Sequence, residues 1–287
     1  MKTDTVAQSL WMVLAGLSFA LMAQCIKLAL ASMGVFELSL YRCLGGIVLL
    51  GAWLKLRGRP LAVRHWPLHF WRAAWGTVAI LLFYYAIGGL TPSLAYAFNY
   101  LAPLVFIVLA AVALREKLRP SILLALGLSF GGVLLLLRPD FSNAELLAAG
   151  AGLVSGCCAA MAFLMIRKLG QAGEGGMRTV FFFNVHGLAF AAAGLLVIGE
   201  VDGIDAASAL PVAGMVLAAT AGQLFLTQAL HRGRTGTTAA FSYSGVAFSV
   251  LIDAFILDAG FRLIDYLGFA LIVGGGVASA LLVRRET

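Results

Sequence analysis

Ten long apolar stretches follow one another through this chain, separated by gaps of only a few residues. A helix crosses the hydrocarbon core of a bilayer with about 20 apolar residues, and no soluble domain of ordinary size buries ten such runs. The predicted spans are Ser9–Leu30, Val35–Leu54, Phe70–Ile87, Ser93–Leu114 and Ser121–Leu137, then Leu146–Met165, Thr179–Ile198, Leu210–Leu230, Thr238–Leu257 and Ile264–Val283. Backbone groups in lipid must be satisfied within each segment, so each span is expected to be a helix. The expected fold class is therefore an all-α membrane protein with ten transmembrane helices. With 62% of 287 residues hydrophobic and 11% charged, no room is left for a soluble catalytic domain. Prolines mark the boundaries. Pro92, Pro120 and Pro211 open helices, where a missing N–H costs nothing; Pro60, Pro67 and Pro139 are expected in loops, and Pro103 alone falls inside a span.

The charges give an orientation. With the N-terminus inside, the cytoplasmic side collects Lys2, Lys55, Arg57, Arg59, Arg64, Arg72, Arg115, Lys117, Arg119, Arg167, Lys168, Arg178, Arg232, Arg234, Arg284 and Arg285, which is 16 of the 20 basic residues. The outer loops carry Asp140, Glu145, Glu200, Asp202, Asp205, Asp258 and Asp265. Lys and Arg concentrate in cytoplasmic loops, so both termini are predicted inside. All five Trp residues (Trp11, Trp53, Trp66, Trp71 and Trp75) fall near that interface. The net charge of +7 follows from this sorting, and no nucleic-acid partner is expected. The basic loop around Arg57–Arg72 can touch anionic lipid heads, although a topology signal explains it. The first apolar run is too long for a signal peptide and reads as a retained helix. Cys25, Cys43, Cys157 and Cys158 lie in spans without metal-ligand spacing, so neither a metal site nor a cofactor is expected.

The chain divides near Asp140–Glu145 into halves with five spans each. A shift of 142 residues places Gly245 on Pro103 and Asp258 on Glu116, and Lys27 ends span one as Arg167 and Lys168 end span six. An odd number of spans per half turns the copies opposite ways. Inverted repeats of this kind build many secondary transporters, with the substrate site near the midplane.

The pieces Glu37-Leu-Ser-Leu-Tyr-Arg42, Ala95 to Glu116 with Pro103, Gly127 with Gly131-Gly132, and Gly268 to Gly276 occur in an order and spacing that resembles the drug/metabolite transporter superfamily, in its EamA-type permease branch. The resemblance spans nearly the full length. It implies an inner-membrane, multi-pass transporter of two inverted EamA-like five-helix repeats, residues 1–140 and 141–287, that exports small metabolites such as amino acids. It also aligns Arg42 with a basic family position. Gly245 and Asp258 stand where such proteins often have a proline in span nine, matching the one in span four, and an acidic-Gly pair at its end.

Polar groups inside spans are costly and face a cavity or a neighbouring helix. At mid-depth the expected substrate-binding set is Gln24, Tyr84, Tyr96, Asn99, Tyr100, Pro103, Gln223, Ser242 and Tyr243, with interhelical hydrogen bonding as the competing use. Pro103 removes the helical bond to the Asn99 carbonyl, which gives a substrate contact, a hinge or a repaired kink. Nearer the outer end, Lys27, Arg42 and Asp253 are expected to form a gate in which Asp253 pairs with one of the cations. His186, Asp253 and Glu37 are the protonatable groups inside spans, His186 reading first as a structural histidine. There is no Walker-type phosphate loop. The expected cargo is an amino acid or an amino-acid-derived metabolite, including a metal-chelating one. Riboflavin or nucleotide-like compounds stacking on the tyrosines are the alternative. An intramembrane enzyme acting on lipid or isoprenoid substrates would need clustered acids at the inner face, where only Asp4, Glu116, Glu174 and Glu286 occur. Gly127-xxx-Gly131 and Gly152-xxx-Gly156 allow close helix approach, within the bundle or at a homodimer seam.

Overall fold

The computed structural model describes residues 5–115, 120–137, 143–198, 201–257 and 263–284, and no strand occurs among them. Glu116, Lys117, Arg119, Arg138, Asp140, Glu200, Asp258 and Arg262, which enter the charge and repeat expectations, lie outside the described residues. The helices are α1 (Thr5–Ser9), α2 (Trp11–Ala29), α3 (Val35–Leu56), α4 (Trp66–Gly89), α5 (Pro92–Asn99), α6 (Ala102–Leu114) and α7 (Pro120–Leu137). They continue with α8 (Asn143–Gln171), α9 (Gly176–Ile198), α10 (Ala209–Arg232), α11 (Thr235–Ser242), α12 (Ser244–Leu257) and α13 (Leu263–Arg284). Seven stretches among the described residues are long and apolar enough to cross a membrane, with Thr235–Phe255 counted as one across α11 and α12; Ala102–Leu114, Pro120–Gly132 and Tyr266–Gly275 are shorter apolar helices. Val48, Val112, Leu124, Leu147, Leu217 and Phe255 stand exposed on the outside. Such a surface invites aggregation in water and is the contact surface in lipid. The chain is a multi-pass membrane protein.

Helices with little polar surface associate through small residues that let backbones approach. α4 lies along α8, α2 along α10, α3 along α9 and α7 along α13. At Gly156 of α8 a methyl group would sit 2.8 Å from the Asn99 carbonyl oxygen, and at Gly16 of α2 it would sit 2.8 Å from the Gly245 nitrogen. These two glycines therefore set how closely α8 and α2 reach the α5–α6 and α11–α12 junctions. A methyl on Gly127 or Gly131 would meet nothing within 4 Å, so that pair serves no packing contact in the described chain.

Three boundaries differ from expectation. Pro67 stands in the first turn of α4 rather than in a loop, because the helix starts at Trp66. Pro103 does not kink a continuous span; it stands in the first turn of a separate helix, α6. Its missing N–H breaks the ladder, and the Leu101 N–H reaches only the Phe98 carbonyl, at 3.4 Å. Span nine lapses in the same way at Tyr243 without a proline: Tyr243 N–H donates to Ala240 at 3.3 Å and Val246 N–H to Tyr243 at 3.1 Å. Helical dihedrals persist at both Leu101 and Tyr243.

Loops are fastened by buried carboxylates. Glu37 accepts the Tyr41 hydroxyl at 3.0 Å and the Asp202 and Gly203 N–H groups at 3.1 and 2.8 Å, which ties the start of α3 to the loop before α10. Glu174, between α8 and α9, accepts the Arg64 N–H at 2.9 Å and faces Arg178 at 3.6 Å and His69 at 3.9 Å. Burial alone would push its carboxyl up, but the Arg64 bond and the His69 and Arg178 charges outweigh that and hold it below its ordinary value.

Candidate functional site

The two interrupted spans border one interior cavity of about 110 Å³. Its wall includes Gly16 and Phe19 from α2, Arg72, Gly76 and Phe83 from α4, Tyr96, Asn99, Tyr100 and Pro103 from the α5–α6 region, and Phe163, Phe183, Gln223 and Ser242. Six of the nine residues expected to bind substrate thus converge: Tyr96, Asn99, Tyr100, Pro103, Gln223 and Ser242. Asn99 Nδ2 donates to Ser155 Oγ at 2.7 Å, and Ser155 Oγ donates to the Ala79 carbonyl at 2.6 Å, so the α5 end is pinned to α8 and α4. Ser242 Oγ turns back to the Ala239 carbonyl at 2.6 Å. Tyr96, Tyr100 and Tyr243 pack ring against ring, each adjacent pair with centroids 5.6 Å apart. Their faces are spent largely on one another.

Gln24, Tyr84 and Tyr243 do not line this cavity. Tyr84 is fully buried, with its hydroxyl 3.9 Å from the Met215 sulfur. Tyr243 is equally buried, and its hydroxyl has no hydrogen-bond partner among the described residues. Gln24 donates to the Asp253 carboxylate.

The structure separates Arg42 from the other two members of the expected outer cluster, while Asp253 acts electrostatically on Lys27. Lys27 Nζ donates to the Ile87, Leu90 and Gly88 carbonyls at 2.8, 2.9 and 3.3 Å, which satisfies the open end of α4. Asp253 holds Gln24, which lies one helical turn from Lys27 on α2. Arg42 is elsewhere: it is 2% exposed, with NH1 3.4 Å from Asn184 Oδ1 and NH2 3.2 Å from Cys43 Sγ. Among the described residues it has no ion pair with a carboxylate. His186 donates through Nδ1 to the Phe182 carbonyl at 2.7 Å and sits among Trp66, Phe70 and Phe182, away from the cavity.

The residue that sequence reasoning placed wrongly is Arg72. Counted with the cytoplasmic basic residues, it is instead 2% exposed and on the cavity wall. Its NH2 donates to Gln223 Oε1 at 2.7 Å, and its guanidinium carbon lies 3.8 Å from the centre of the Phe183 ring. Arg42 lies over the same ring at 5.1 Å. The neighbouring Trp71 and Trp75 suggest an interface belt. Pro67 was the available signal: a helix that starts there carries Arg72 about 8 Å inward at 1.5 Å per residue.

A lipid-facing helical bundle around a cavity whose largely apolar wall carries a few polar side chains, bordered by two helices interrupted at mid-course, has the build of a small-molecule transporter. Comparison with known proteins agrees. The EamA-like transporter family matches residues 7–138. An uncharacterized transporter of Helicobacter pylori strain J99 is 27% identical over 218 residues, 73% of this chain and 72% of that protein. The pseudopaline exporter CntI of Pseudomonas aeruginosa is 26% identical over 241 residues, 83% of each chain. Human solute carrier family 35 member G1 is 25% identical over 198 residues, 63% of this chain and 53% of that one. A solved crystal structure superposes over 100% of both chains with a TM-score of 0.83 at 18% identity, a likeness of fold. Residues 7–138 thus carry the EamA-like transporter match, and the chain is similar over most of its length to proteins named as transporters.

Proposed function

We propose that this protein is a secondary transporter of the cell inner membrane that exports a small polar metabolite, an amino acid or an amino-acid-derived compound. The observation that carries the reading is the cavity itself, where Arg72, Asn99, Gln223 and Ser242 meet at the level where α5–α6 and α11–α12 break. A lapse in the helical hydrogen-bond ladder at membrane depth is tolerated beside a cavity, and interrupted helices flank the substrate in many transporters. The name of CntI, an exporter, supports the outward direction.

The architecture belonging to this reading is ten spans in two inverted five-helix halves, residues 1–140 and 141–287, with both termini cytoplasmic. Matched contacts support it. Lys27, ending α2, holds the Leu90 carbonyl beyond α4, and Arg167 of α8 holds the Leu230 carbonyl at the end of α10; each bond closes 63 residues. The pairing of α4 with α8 answers that of α2 with α10. Arg42 meets Asn184 across 142 residues, and Ser129 meets Ile272 across 143. Contacts between equivalent positions are what a two-fold axis produces.

Untargeted metabolite profiling of spent medium, from cells with and without the protein, tests the function. An amino-acid-derived compound enriched outside only when the protein is present is the expected result. Identical media would refute export.

A further inference from the structure

We infer that Arg72 receives a carboxylate group of the transported molecule, which takes the place of Gln223 on its guanidinium. This rests on reading the cavity as the substrate path.

A guanidinium removed from water keeps its charge and needs an anion or a full set of hydrogen bonds. Arg72 has neither. One neutral amide accepts from NH2, the Phe183 ring covers one face, and Nε and NH1 are buried without a hydrogen-bond partner among the described residues. No described carboxylate forms an ion pair with it. The second buried guanidinium, Arg42, shares the Phe183 ring and adds positive potential rather than relief. The fold also makes room for this arrangement. A methyl group on Gly76, one turn along α4, would collide with Arg72 NH1 and lie 2.9 Å from the Phe183 ring.

The donor geometry selects the ligand. NH2 carries two protons, one beside Nε–H and one beside NH1–H. Whichever goes to Gln223, that bond occupies one two-pronged edge, and the edge freed when Gln223 leaves matches the two oxygens of a carboxylate. Arg42 is not on the cavity wall, so a single guanidinium is within reach of a bound molecule and it balances a single negative charge. The rest of the wall near Arg72, with Phe83, Tyr96 and Gly76, offers apolar contact to the remainder of such a molecule. Gln223 then acts as the resting partner, displaced on binding.

The test uses full-length protein in proteoliposomes, with counterflow of labelled amino acids and short peptides against their matched carboxamides. We expect the acids to exchange at least tenfold faster than the amides. Arg72→Gln is expected to lower the acids to the amide rate, with Arg72→Lys in between because charge survives and the fork does not. Gln223→Leu keeps Arg72 and removes its competitor, so it is expected to lower the half-saturation concentration for acids by roughly tenfold, the scale of one hydrogen bond from a charged donor. A purely structural Arg72 would not give that gain. Equal rates for acids and amides in the wild type, an acid preference that survives Arg72→Gln, or unchanged half-saturation in Gln223→Leu would each overturn the carboxylate assignment while transport itself stands. No exchange of any compound by folded wild-type protein would overturn the exporter reading and this inference with it.

Discussion

Replacing Gly156 with alanine should destabilise the protein, whereas the same change at Gly150, in the same helix, should stabilise it. A methyl on Gly156 meets the Asn99 carbonyl oxygen at 2.8 Å, the Phe98 carbonyl oxygen at 3.1 Å and the Asn99 carbonyl carbon at 3.2 Å. Even close carbon–oxygen contacts run at about 3.3 Å or more, so α8 and the α5–α6 junction must separate by roughly half an ångström. The obstacle is backbone, which cannot rotate away as a side chain would. Overpacking of this kind costs about 1–3 kcal/mol. At Gly150 a methyl meets nothing within 4 Å, and exchanging a helical glycine for alanine gains about 0.5–1 kcal/mol. Both variants carry the same propensity gain, so their difference isolates the contact. A gap of about 1–3 kcal/mol converts to melting points about 2–12 °C apart at 2–4 °C per kcal/mol. Thermal unfolding of the two purified variants in one detergent measures it directly. Equal melting points would refute the claim that Gly156 holds α8 against the broken span. Gly156→Ala should also slow transport, because Asn99 and Tyr100 move with the junction.

Other expectations follow from single contacts. Asn99→Ala removes the link to Ser155 and so frees the α5 end; a loss of about 0.6–1.7 kcal/mol in unfolding free energy is expected, together with slower counterflow, and unchanged counterflow would count against a cavity role. Lys27→Met leaves three α4 carbonyls without their donor, and Arg167→Met does the same for the Leu230 and Gly233 carbonyls; both should lower the melting point, and by similar amounts if the halves are equivalent. Glu174 is held below its ordinary value, so its contribution is present above the unfolded pKa and fades as pH falls through the lower folded one. Glu174→Gln should therefore melt lower than wild type at neutral pH and match it in strong acid; a constant difference across that range would sink the ionic reading.

The sequence alone determined the solvent, and with it the class of fold. Hydrophobic runs of bilayer length leave helices as the solution open to this backbone, so the starts of α3, α7 and α13 and the approximate limits of the other helices were legible from composition and proline placement. Six residues of the cavity were legible as well, because uncharged polar groups and a proline in mid-span are conspicuous. Only the tertiary structure decided which polar groups meet. The break at Tyr243 has no proline to announce it; it appears where the α2 backbone presses on Gly245. Lys27 was expected beside an acid; Asp253 acts on it electrostatically, and its hydrogen bonds go to the end of α4, since carbonyls left open at a helix terminus attract a cation as a carboxylate does. Arg72 looks like a topology charge in sequence because Lys and Arg near a span are usually solvated. Its burial depends on Gly76, Phe183 and Gln223, which are brought together from α4, α9 and α10. A local pattern reports depth along one helix; which side of that helix faces the cavity is fixed by its neighbours.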